Sequence, residues 1–258
     1  MRISIHELKK MKAAGQKIAA LTAYDYPTAK LVDECGIPII LVGDSLGMVV
    51  LGLESTIPVT MEVMLHHVAA VARGAKRAII VGDMPFGTYH LSSEDALRNA
   101  IRLVQQGGAT AVKLEGGVTV AAQVERIVSS GIPVMGHIGL TPQYVHQLGG
   151  YKVQGKSADA AERLLADAKA LESAGVFSVV LECMPSSLAA EISQSVAVPT
   201  IGIGAGPHCD GQIQVISDVL GLSDYIPKHA KQFVKLPDVI RGVVQAYADE
   251  VTRGVFGA

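Results

Sequence analysis

Short apolar runs recur along the chain, and several of them end abruptly in an acidic residue. The run at 38–42 reads PIILV, with no polar residue between the apolar ones, and Gly43, Asp44 and Ser45 follow it. Such a run is typical of a strand buried on both faces, as in a parallel sheet. One acid after one strand could simply cap a helix. Acids at several equivalent strand ends instead indicate one site at the carboxyl edge of the sheet, and they are Asp44, Asp83, Glu115 and Glu182.

Glycines and capping residues separate these runs from amphipathic stretches, which gives a repeating strand–helix order. The pattern predicts strands at 17–23, 38–43, 78–82, 110–114, 133–137, 177–182, 199–202 and 213–216. It predicts helices at 3–14, 28–34, 60–71, 92–106, 159–174, 186–194 and 238–252, and one more that ends near residue 129. The predicted caps include Ser4, Ser92 or Ser93, and Ser186 or Ser187. At about 32 residues per unit, eight units fill the 258 residues, so we predict a single α/β domain over 1–258, a (β/α)₈ TIM barrel.

Two long segments are predicted at the same edge of the sheet as the acids. Residues 46–60, which include Gly47, Gly52 and Pro58, form a long loop after Asp44, so we expect them to cover a site. Residues 138–156 are glycine-rich and polar, which indicates a mobile or functional loop. The sequence GIGAG at 202–206 resembles the phosphate-binding turn of barrels, although such turns are also common for steric reasons. Four tyrosines near loop edges could pack inside or line the rim: Tyr24, Tyr26, Tyr89 and Tyr151.

Composition narrows the class of protein and its partners. Hydrophobic residues make up 49% of the chain and charged residues 18%, which suits a large core and argues against disorder. The net charge of −2 and the lack of long basic runs argue against nucleic acid as a partner. No apolar stretch is long enough to cross a bilayer, and the first residues lack the apolar core of a signal peptide. The widely spaced Cys35, Cys183 and Cys209 argue against a disulfide framework or a zinc site, so we expect the reducing cytoplasm.

The predicted strand-end acids would crowd negative charge at one mouth of the barrel. Asp44, Asp83 and Glu115 would meet there, which costs free energy unless a cation lies among them or protons are shared. Oxygen ligands with no nearby cysteine favour magnesium, which binds a few carboxylates and keeps water or substrate oxygens. For any one carboxylate, a helix cap or a surface charge is the alternative. For the set, we predict a metal site.

Three further side chains extend the predicted site. Lys113 lies two residues before Glu115, so both point to the same side of their strand, into the barrel. Lys113 could be a countercharge to the acids, a ligand for a substrate anion, or a Schiff-base lysine as in barrel aldolases. Glu182, at the end of an apolar strand, could be a desolvated general base with a raised pKa. His137 could be a ligand or hydrogen-bond donor, or a histidine merely packed into the barrel end.

Six motifs occur in order: TAYDYPTAK at 22–30, VGDSLGM at 42–48, VKLEGG at 112–117, GHIGLTPQ at 136–143, GGYKVQG at 149–155 and IGIGAG at 201–206. With these motifs the chain closely resembles the ketopantoate hydroxymethyltransferase (3-methyl-2-oxobutanoate hydroxymethyltransferase) family, from about residue 3 to residue 253. The resemblance implies a TIM barrel of the phosphoenolpyruvate/pyruvate superfamily that assembles as a homodecamer.

The resemblance also implies a reaction and roles for named residues. A hydroxymethyl group would pass from 5,10-methylenetetrahydrofolate to 3-methyl-2-oxobutanoate through a magnesium-stabilised enolate, giving 2-dehydropantoate in pantothenate biosynthesis. Mg²⁺ would be bound by Asp44 and Asp83 and, directly or through water, by Glu115. The family's proton acceptor corresponds to Glu182. The 2-oxo acid would contact Asp44, Ser45, Asp83 and Lys113.

Two other functions fit the same residues. A carbon–carbon lyase or a phosphonomutase on the same barrel would also form a metal-dependent enolate, with GIGAG as an anion site. Folate-dependent turnover would separate these enzymes from a hydroxymethyltransferase. A non-catalytic 2-oxo acid sensor would bind metal and ligand without exchanging the C3 proton of the acid.

Overall fold

The apolar runs form parallel strands that pair in chain order and close into a barrel. The computed structural model describes residues 2–223 and 226–257, and eight strands lie within these residues. The strands are β1 Ile18–Thr22, β2 Ile39–Val42, β3 Ile79–Asp83, β4 Ala111–Glu115, β5 Val134–Gly139, β6 Ser178–Glu182, β7 Thr200–Ile203 and β8 Gly211–Gln214. Each pairing from β1–β2 to β7–β8 is parallel. The predicted TIM-barrel fold is therefore confirmed.

Strands β1 to β7 lie within two residues of their predicted positions, but the prediction for β8 is wrong. The strand was predicted at 213–216, whereas β8 spans Gly211–Gln214 and a helix begins at Ile216. The start of β8 is set by β1, because the Ile18 N–H donates to the Asp210 carbonyl over 3.0 Å. A Cβ at Gly211 would collide with the Ile18 carbonyl oxygen, so this close approach requires glycine. A strand that begins with a glycine required by such a close approach cannot be recognised from an apolar run.

Helices follow most of the strands. They are α1 Ile5–Ala13, α2 Tyr26–Glu34, α3 Leu46–Val49, α4 Met61–Gly74, α5 Ser93–Gln105, α6 Ala121–Val128, α7 Val145–Leu148, α8 Ala158–Ser173, α9 Ser186–Ser195, α10 Ile216–Leu220 and α11 Leu236–Thr252. The long segments 46–60 and 138–156, expected as loops, carry the short helices α3 and α7, and a 3₁₀ turn at Pro142–Tyr144 precedes α7.

Polar side chains begin several of these helices, because the first N–H groups of a helix have no partner within it. The Ser4 side chain accepts from the Glu7 N–H, and the Glu7 side chain accepts from the Ser4 N–H, which completes a capping box. The Ser92 side chain likewise accepts from the Asp95 N–H. The predicted serine cap of α9 is wrong, since Pro185 occupies the cap position and Ser186 is the first helical residue.

The main core lies inside the barrel. Ile39, Leu41, Ile79 and Val81 are at most 7% exposed and belong to one buried cluster. Their spacing of two places them on the same face of β2 and β3. Leu8 of α1 is fully buried in the same cluster. Apolar side chains fill the interior of the barrel, and the polar site residues lie at the carboxyl ends of the strands.

The chain divides into two compact units, Met1–Ile213 and Gln214–Ala258. The first contains β1 to β7 and every site residue that the sequence singled out. The second contains α10 and α11, and the apolar Val239, Ile240, Val243 and Val244 of α11 are exposed. A single domain over residues 1–258 stays a prediction. Within the described residues, no helix combines the length and the apolar character needed to cross a membrane.

Candidate active site

Charged residues at the ends of β2, β3 and β4 are buried together at the carboxyl end of the barrel. Asp44 lies two residues beyond β2, Asp83 ends β3, and Lys113 and Glu115 belong to β4. Their exposed fractions range from 1% to 4%. Charged side chains are almost never buried this far unless they are paired, and barrel enzymes place their chemistry at this face. The structure thus brings together the acids and the lysine that the sequence singled out.

The ion pair of Lys113 and Asp83 follows from the strand register. The two residues are direct partners across β3 and β4, and Lys113 Nζ donates to both carboxylate oxygens of Asp83 over 2.8 Å. Glu115 Oε1 lies 3.8 Å from the same nitrogen. Burial lowers the pKa of Lys113, but the charges of Asp83, Glu115 and Asp44 outweigh it and raise the pKa above its ordinary value. Lys113 is therefore a fixed cation, which favours the countercharge interpretation over a Schiff base.

Asp44 and Asp83 are neighbouring acids, and the positive charge near them does not fully balance their negative charges. The Asp44 N–H donates to Asp83 Oδ2 over 3.3 Å. Burial, together with the charges of Asp83 and Glu115, raises the pKa of Asp44 well above its ordinary value. Burial also raises the pKa of Asp83, although Lys113 opposes that change. A raised pKa means that the ionised form is disfavoured, and a nearby cation would relieve this.

His137 connects this carboxylate cluster to Glu182. It is the register partner of Glu115 across β4 and β5, and Glu182 ends the next strand, β6. The imidazole is buried, with one ring nitrogen in ion-pair contact with Glu115 and the other with Glu182. Within the described chain, neither nitrogen makes a well-aligned hydrogen bond, so these contacts are ionic. The Glu182 side chain is 16% exposed, which places the fourth acid at the edge of the cluster, open to a reactant.

Gln143 and Tyr89 belong to the same cluster, although no sequence pattern indicated a role for Gln143 and Tyr89 could have been either a packed or a rim residue. The Gln143 side chain donates to Asp44, and its backbone N–H donates to Glu115. The Tyr89 hydroxyl donates to the Gln143 side chain. Gln143 ends the motif GHIGLTPQ, which was the signal available for it. No periodicity in the loop 138–156 indicated that its side chain turns back into the barrel.

Ser45, a predicted substrate contact, lies at the rim beside Tyr24. The Ser45 Oγ and Tyr24 Oη atoms are 2.8 Å apart, and Ser45 is partly buried. Tyr24 and Tyr89 are buried, whereas Tyr26 and Tyr151 are about half exposed. The first two tyrosines therefore pack within the fold, and the other two lie at its surface.

The donor set fits magnesium, although it does not form a ready-made cage. Among residues 2–223 and 226–257, no three or more His, Cys, Asp or Glu side chains are arranged to hold a metal ion. Asp44 and Asp83 are adjacent, since the Asp44 N–H donates to Asp83 Oδ2, and Lys113 contacts both Asp83 and Glu115. Magnesium needs only one or two protein carboxylates and completes its shell with water or substrate oxygens. The oxygen donors of Asp44, Asp83 and Glu115 suit such an ion.

The two long loops meet over a pocket of about 390 Å³. The pocket is lined by Glu54, Ser55, Val145, His146, Gly149, Gly150 and Tyr151. The Tyr151 hydroxyl lies 3.8 Å from Met48 Sδ, so the two loops touch. Burial and the charges of Asp44, Glu182 and Glu115 raise the pKa of Tyr151, which places it within electrostatic reach of the carboxylates. The expectation that residues 46–60 cover a site stays a prediction.

The glycine-rich turn at 202–206 is explained by close packing. Gly206 has a φ of +78°, and a Cβ there would collide with the Ser186 side chain. The Gln212 side chain donates to the Gly206 carbonyl over 2.9 Å. The steric explanation therefore accounts for Gly206 without a bound phosphate.

Solved structures with a similar barrel come from enzymes of different chemistry. Phosphoenolpyruvate phosphomutase from Streptomyces platensis matches with a TM-score of 0.64 and 14% identity, over 98% of this chain and 88% of that one. 2,3-Dimethylmalate lyase, described as a member of the PEP mutase/isocitrate lyase superfamily, matches with a TM-score of 0.60 and 15% identity, over 100% of this chain and 91% of that one. At such identities the likeness shows the fold alone, a closed parallel barrel with surrounding helices.

Sequence relatives are far more similar. A protein of Dehalococcoides mccartyi named 3-methyl-2-oxobutanoate hydroxymethyltransferase is 63% identical over 257 residues, 99% of this chain and 92% of the relative. A protein of Heliobacterium modesticaldum with the same name is 56% identical over 256 residues, 99% of this chain and 93% of the relative. The model of the ketopantoate hydroxymethyltransferase family matches residues 2–258. The chain therefore belongs to the ketopantoate hydroxymethyltransferase family, a family of enzymes.

Proposed function

We propose that the chain transfers a hydroxymethyl group from 5,10-methylenetetrahydrofolate to 3-methyl-2-oxobutanoate, giving 2-dehydropantoate for pantothenate biosynthesis. The observation that carries the proposal is the position of Glu182, a partly exposed acid at the edge of a buried cluster of Asp44, Asp83, Lys113 and Glu115. A 2-oxo acid can be held over the cluster while an acid beside it takes a proton. The names of the relatives support this choice among the enolate chemistries of the barrel.

Magnesium is the proposed metal, held by Asp44 and Asp83 and, directly or through water, by Glu115. The all-oxygen donor set and the raised pKa of Asp44, caused first by burial and then by the neighbouring acids, support it. When bound, the ion would supply positive charge for the oxygen that becomes negative during the reaction. Further positive charge comes from Lys113, which Asp83 fixes in position.

We propose that the 2-oxo acid contacts Asp44, Ser45, Asp83 and Lys113. The Ser45 hydroxyl and the Lys113 ammonium group can donate hydrogen bonds to its carboxylate and keto oxygens. Both donors are held in position before the substrate binds, since Ser45 contacts Tyr24 and Lys113 contacts Asp83. Preorganised donors stabilise developing negative charge without reorganisation at the moment of reaction.

Glu182 is the proposed general base. Its carboxylate would accept the C3 proton of the acid, and the electron pair of the broken C–H bond would move towards the keto oxygen. The C3 carbon would then form a bond to the methylene carbon of the folate while one of the two C–N bonds of that carbon breaks. Water would replace the second C–N bond with a hydroxyl group, and the two folate nitrogens would take up the proton held by Glu182 and one proton from water, which releases 2-dehydropantoate and tetrahydrofolate. His137 contacts Glu182 from the side of the carboxylate cluster and keeps the base at its position.

The folate requires room beside the acid, and the pocket between the loops 46–60 and 138–156 offers it. Tyr151 in this pocket is about half exposed and lies within electrostatic reach of Asp44 and Glu182. An exposed aromatic ring suits stacking against a flat heterocycle such as a pterin. These features support folate as the donor.

The proposal is tested by turnover with labelled donor. The protein is incubated with magnesium, 3-methyl-2-oxobutanoate and 5,10-methylenetetrahydrofolate that carries ¹³C in the methylene group. Mass spectrometry should detect 2-dehydropantoate with one ¹³C atom, and omission of the folate should abolish it. Phosphonopyruvate and 2,3-dimethylmalate are supplied in parallel. Turnover of either one without labelled 2-dehydropantoate, or tight binding of the 2-oxo acid with no turnover at all, would show that the proposed function is wrong.

A further inference from the structure

We propose that Gln143 is a positioning residue that fixes the carboxyl groups of Asp44 and Glu115 for metal and 2-oxo acid binding. This inference rests on the proposed function, since it concerns the same cluster. Gln143 lies in the 3₁₀ turn Pro142–Tyr144, outside the strands that carry the acids. It therefore couples the loop 138–156 to the carboxylate cluster.

The side-chain amide of Gln143 makes hydrogen bonds through both its nitrogen and its oxygen. Nε2 donates to Asp44 Oδ2 over 2.8 Å and to the Met84 carbonyl over 3.0 Å. Oε1 accepts from the Tyr89 hydroxyl over 2.6 Å. An amide nitrogen has two protons to donate, so these contacts satisfy it completely. Only one orientation of the amide is possible, because the flipped amide would face two acceptors with its oxygen.

The backbone of Gln143 holds the second carboxylate. Its N–H donates to Glu115 Oε2 over 3.0 Å. The Tyr89 hydroxyl closes the network, since it also accepts from the Glu115 N–H over 3.3 Å. One residue thus contacts the carboxyl group beyond β2 through its side chain and the carboxyl group at the end of β4 through its main chain.

Burial makes these contacts strong and specific. Gln143 is 2% exposed and Tyr89 is fully buried, so water cannot replace a lost partner easily. With Oδ2 of Asp44 occupied by Gln143, the carboxyl group cannot turn freely, and its other oxygen faces a fixed direction. Groups that orient metal-binding side chains commonly change metal affinity by about tenfold to a hundredfold when removed.

The test compares substitutions that keep the size of the side chain. Gln143→Met removes both polar groups, and Gln143→Glu places an acceptor against Asp44 and the Met84 carbonyl. Gln147→Met is the matched control, because Gln147 lies in the same loop and is exposed. Tyr89→Phe removes only the hydroxyl that fixes the amide, and it serves as a second test if a Gln143 variant fails to fold.

Magnesium affinity is measured by calorimetric titration, with thermal unfolding as the check on folding. We expect Gln143→Met to weaken magnesium binding about tenfold or more, Gln143→Glu at least as much, and Tyr89→Phe less but in the same direction. Gln147→Met should bind magnesium as the wild type does. In turnover, KM for 3-methyl-2-oxobutanoate should rise in the Gln143 variants while KM for the folate stays near the wild-type value, a separation that a general loss of stability would not give.

The outcomes separate this inference from the proposed function. If folded Gln143 variants, or Tyr89→Phe when those do not fold, bind magnesium like the wild type, the positioning role is wrong whatever the turnover assay shows. If the wild type binds magnesium but makes no 2-dehydropantoate, the proposed function is wrong, and the magnesium affinities still decide the role of Gln143. A wild type that binds no magnesium overturns the positioning role as stated.

Discussion

The Nε2 atom of His137 lies 3.1 Å from Oε2 of Glu182, at the carboxyl ends of neighbouring strands. The Nδ1 atom of the same ring lies 3.3 Å from Glu115 Oε1. Burial and the charge of Lys113 lower the pKa of His137, but Glu115 and Glu182 outweigh them and raise it to about 9. An imidazolium between two carboxylates at neutral pH therefore links the proposed base to the proposed metal site.

Lys113 should not form a covalent adduct with the substrate. Its pKa is raised because the charges of Asp83, Glu115 and Asp44 outweigh burial, so the amine is protonated and a poor nucleophile. Borohydride reduction in the presence of 3-methyl-2-oxobutanoate should leave the mass of the protein unchanged. A reduced adduct located at Lys113 by peptide mass spectrometry would overturn its role as a fixed cation.

Asp44→Asn and Asp83→Asn should both weaken magnesium binding severely but should differ in stability. Asp83→Asn leaves the buried Lys113 without its 2.8 Å partner, and breaking a buried pair in this way costs about 3–5 kcal/mol. Asp44→Asn removes a carboxyl group whose ionised form is already disfavoured, so the free energy of unfolding should stay equal or rise. Chemical denaturation in the presence of a chelator measures the stability difference.

The same two variants also test the metal site itself. Calorimetric titration with magnesium should show the loss of affinity in both proteins, with the wild type as the reference. Unchanged affinity in both variants would remove Asp44 and Asp83 from the proposed site. Equal stability of the two variants would instead show that the ion pair of Lys113 and Asp83 contributes little.

Asp33→Asn should reduce stability at neutral pH but not at low pH. Asp33 is buried at the end of α2, and its carboxylate accepts from the N–H groups of Lys76, Arg77 and Ala78. Burial raises the pKa of Asp33, but these hydrogen bonds outweigh it and lower the pKa below 3.8. A carboxyl group with a lowered folded-state pKa stabilises the fold above its unfolded pKa, and this contribution is lost as the pH falls through the folded pKa.

Urea denaturation at a series of pH values measures this effect. The difference in unfolding free energy between the wild type and Asp33→Asn should be about 1–3 kcal/mol from pH 5 to pH 7 and should shrink as the pH falls below 4. Glu34→Gln is the matched control, because Glu34 is the next residue of α2 and forms an exposed ion pair with Lys30. A difference for Asp33→Asn that stays constant down to pH 2 would contradict the role of its carboxylate.

The strand ends and most of the site could be predicted from the sequence because the signal is local. A buried strand is recognisable from an apolar run, and the acid at its end is adjacent to that run in the sequence. Parallel pairing then places every such acid at one edge of the sheet. In the same pairing, Asp83 of β3 and Lys113 of β4 are register partners. The spacing of Lys113 and Glu115 likewise predicted that they lie on one side of β4, and the structure confirms it.

Contacts between distant parts of the chain could not be predicted in this way. Gln143 and Asp44 are 99 residues apart, and no periodic pattern leads from the loop back to the strand end. No sequence pattern singles out Asp33 within its helix, although it accepts from an N–H group 45 residues away. The start of β8 depends on how closely β1 approaches Gly211, which is known only once the barrel closes.

Proton NMR in deuterated buffer with magnesium and no folate tests most directly whether Glu182 removes the C3 proton of 3-methyl-2-oxobutanoate. The wild type should exchange that proton, and Glu182→Gln should exchange it about a hundredfold to ten-thousandfold more slowly while still binding magnesium and the acid. Glu191→Gln, an exposed substitution on α9, should exchange it at the wild-type rate. Exchange by Glu182→Gln at the wild-type rate would contradict this role of Glu182 and place the base at another residue.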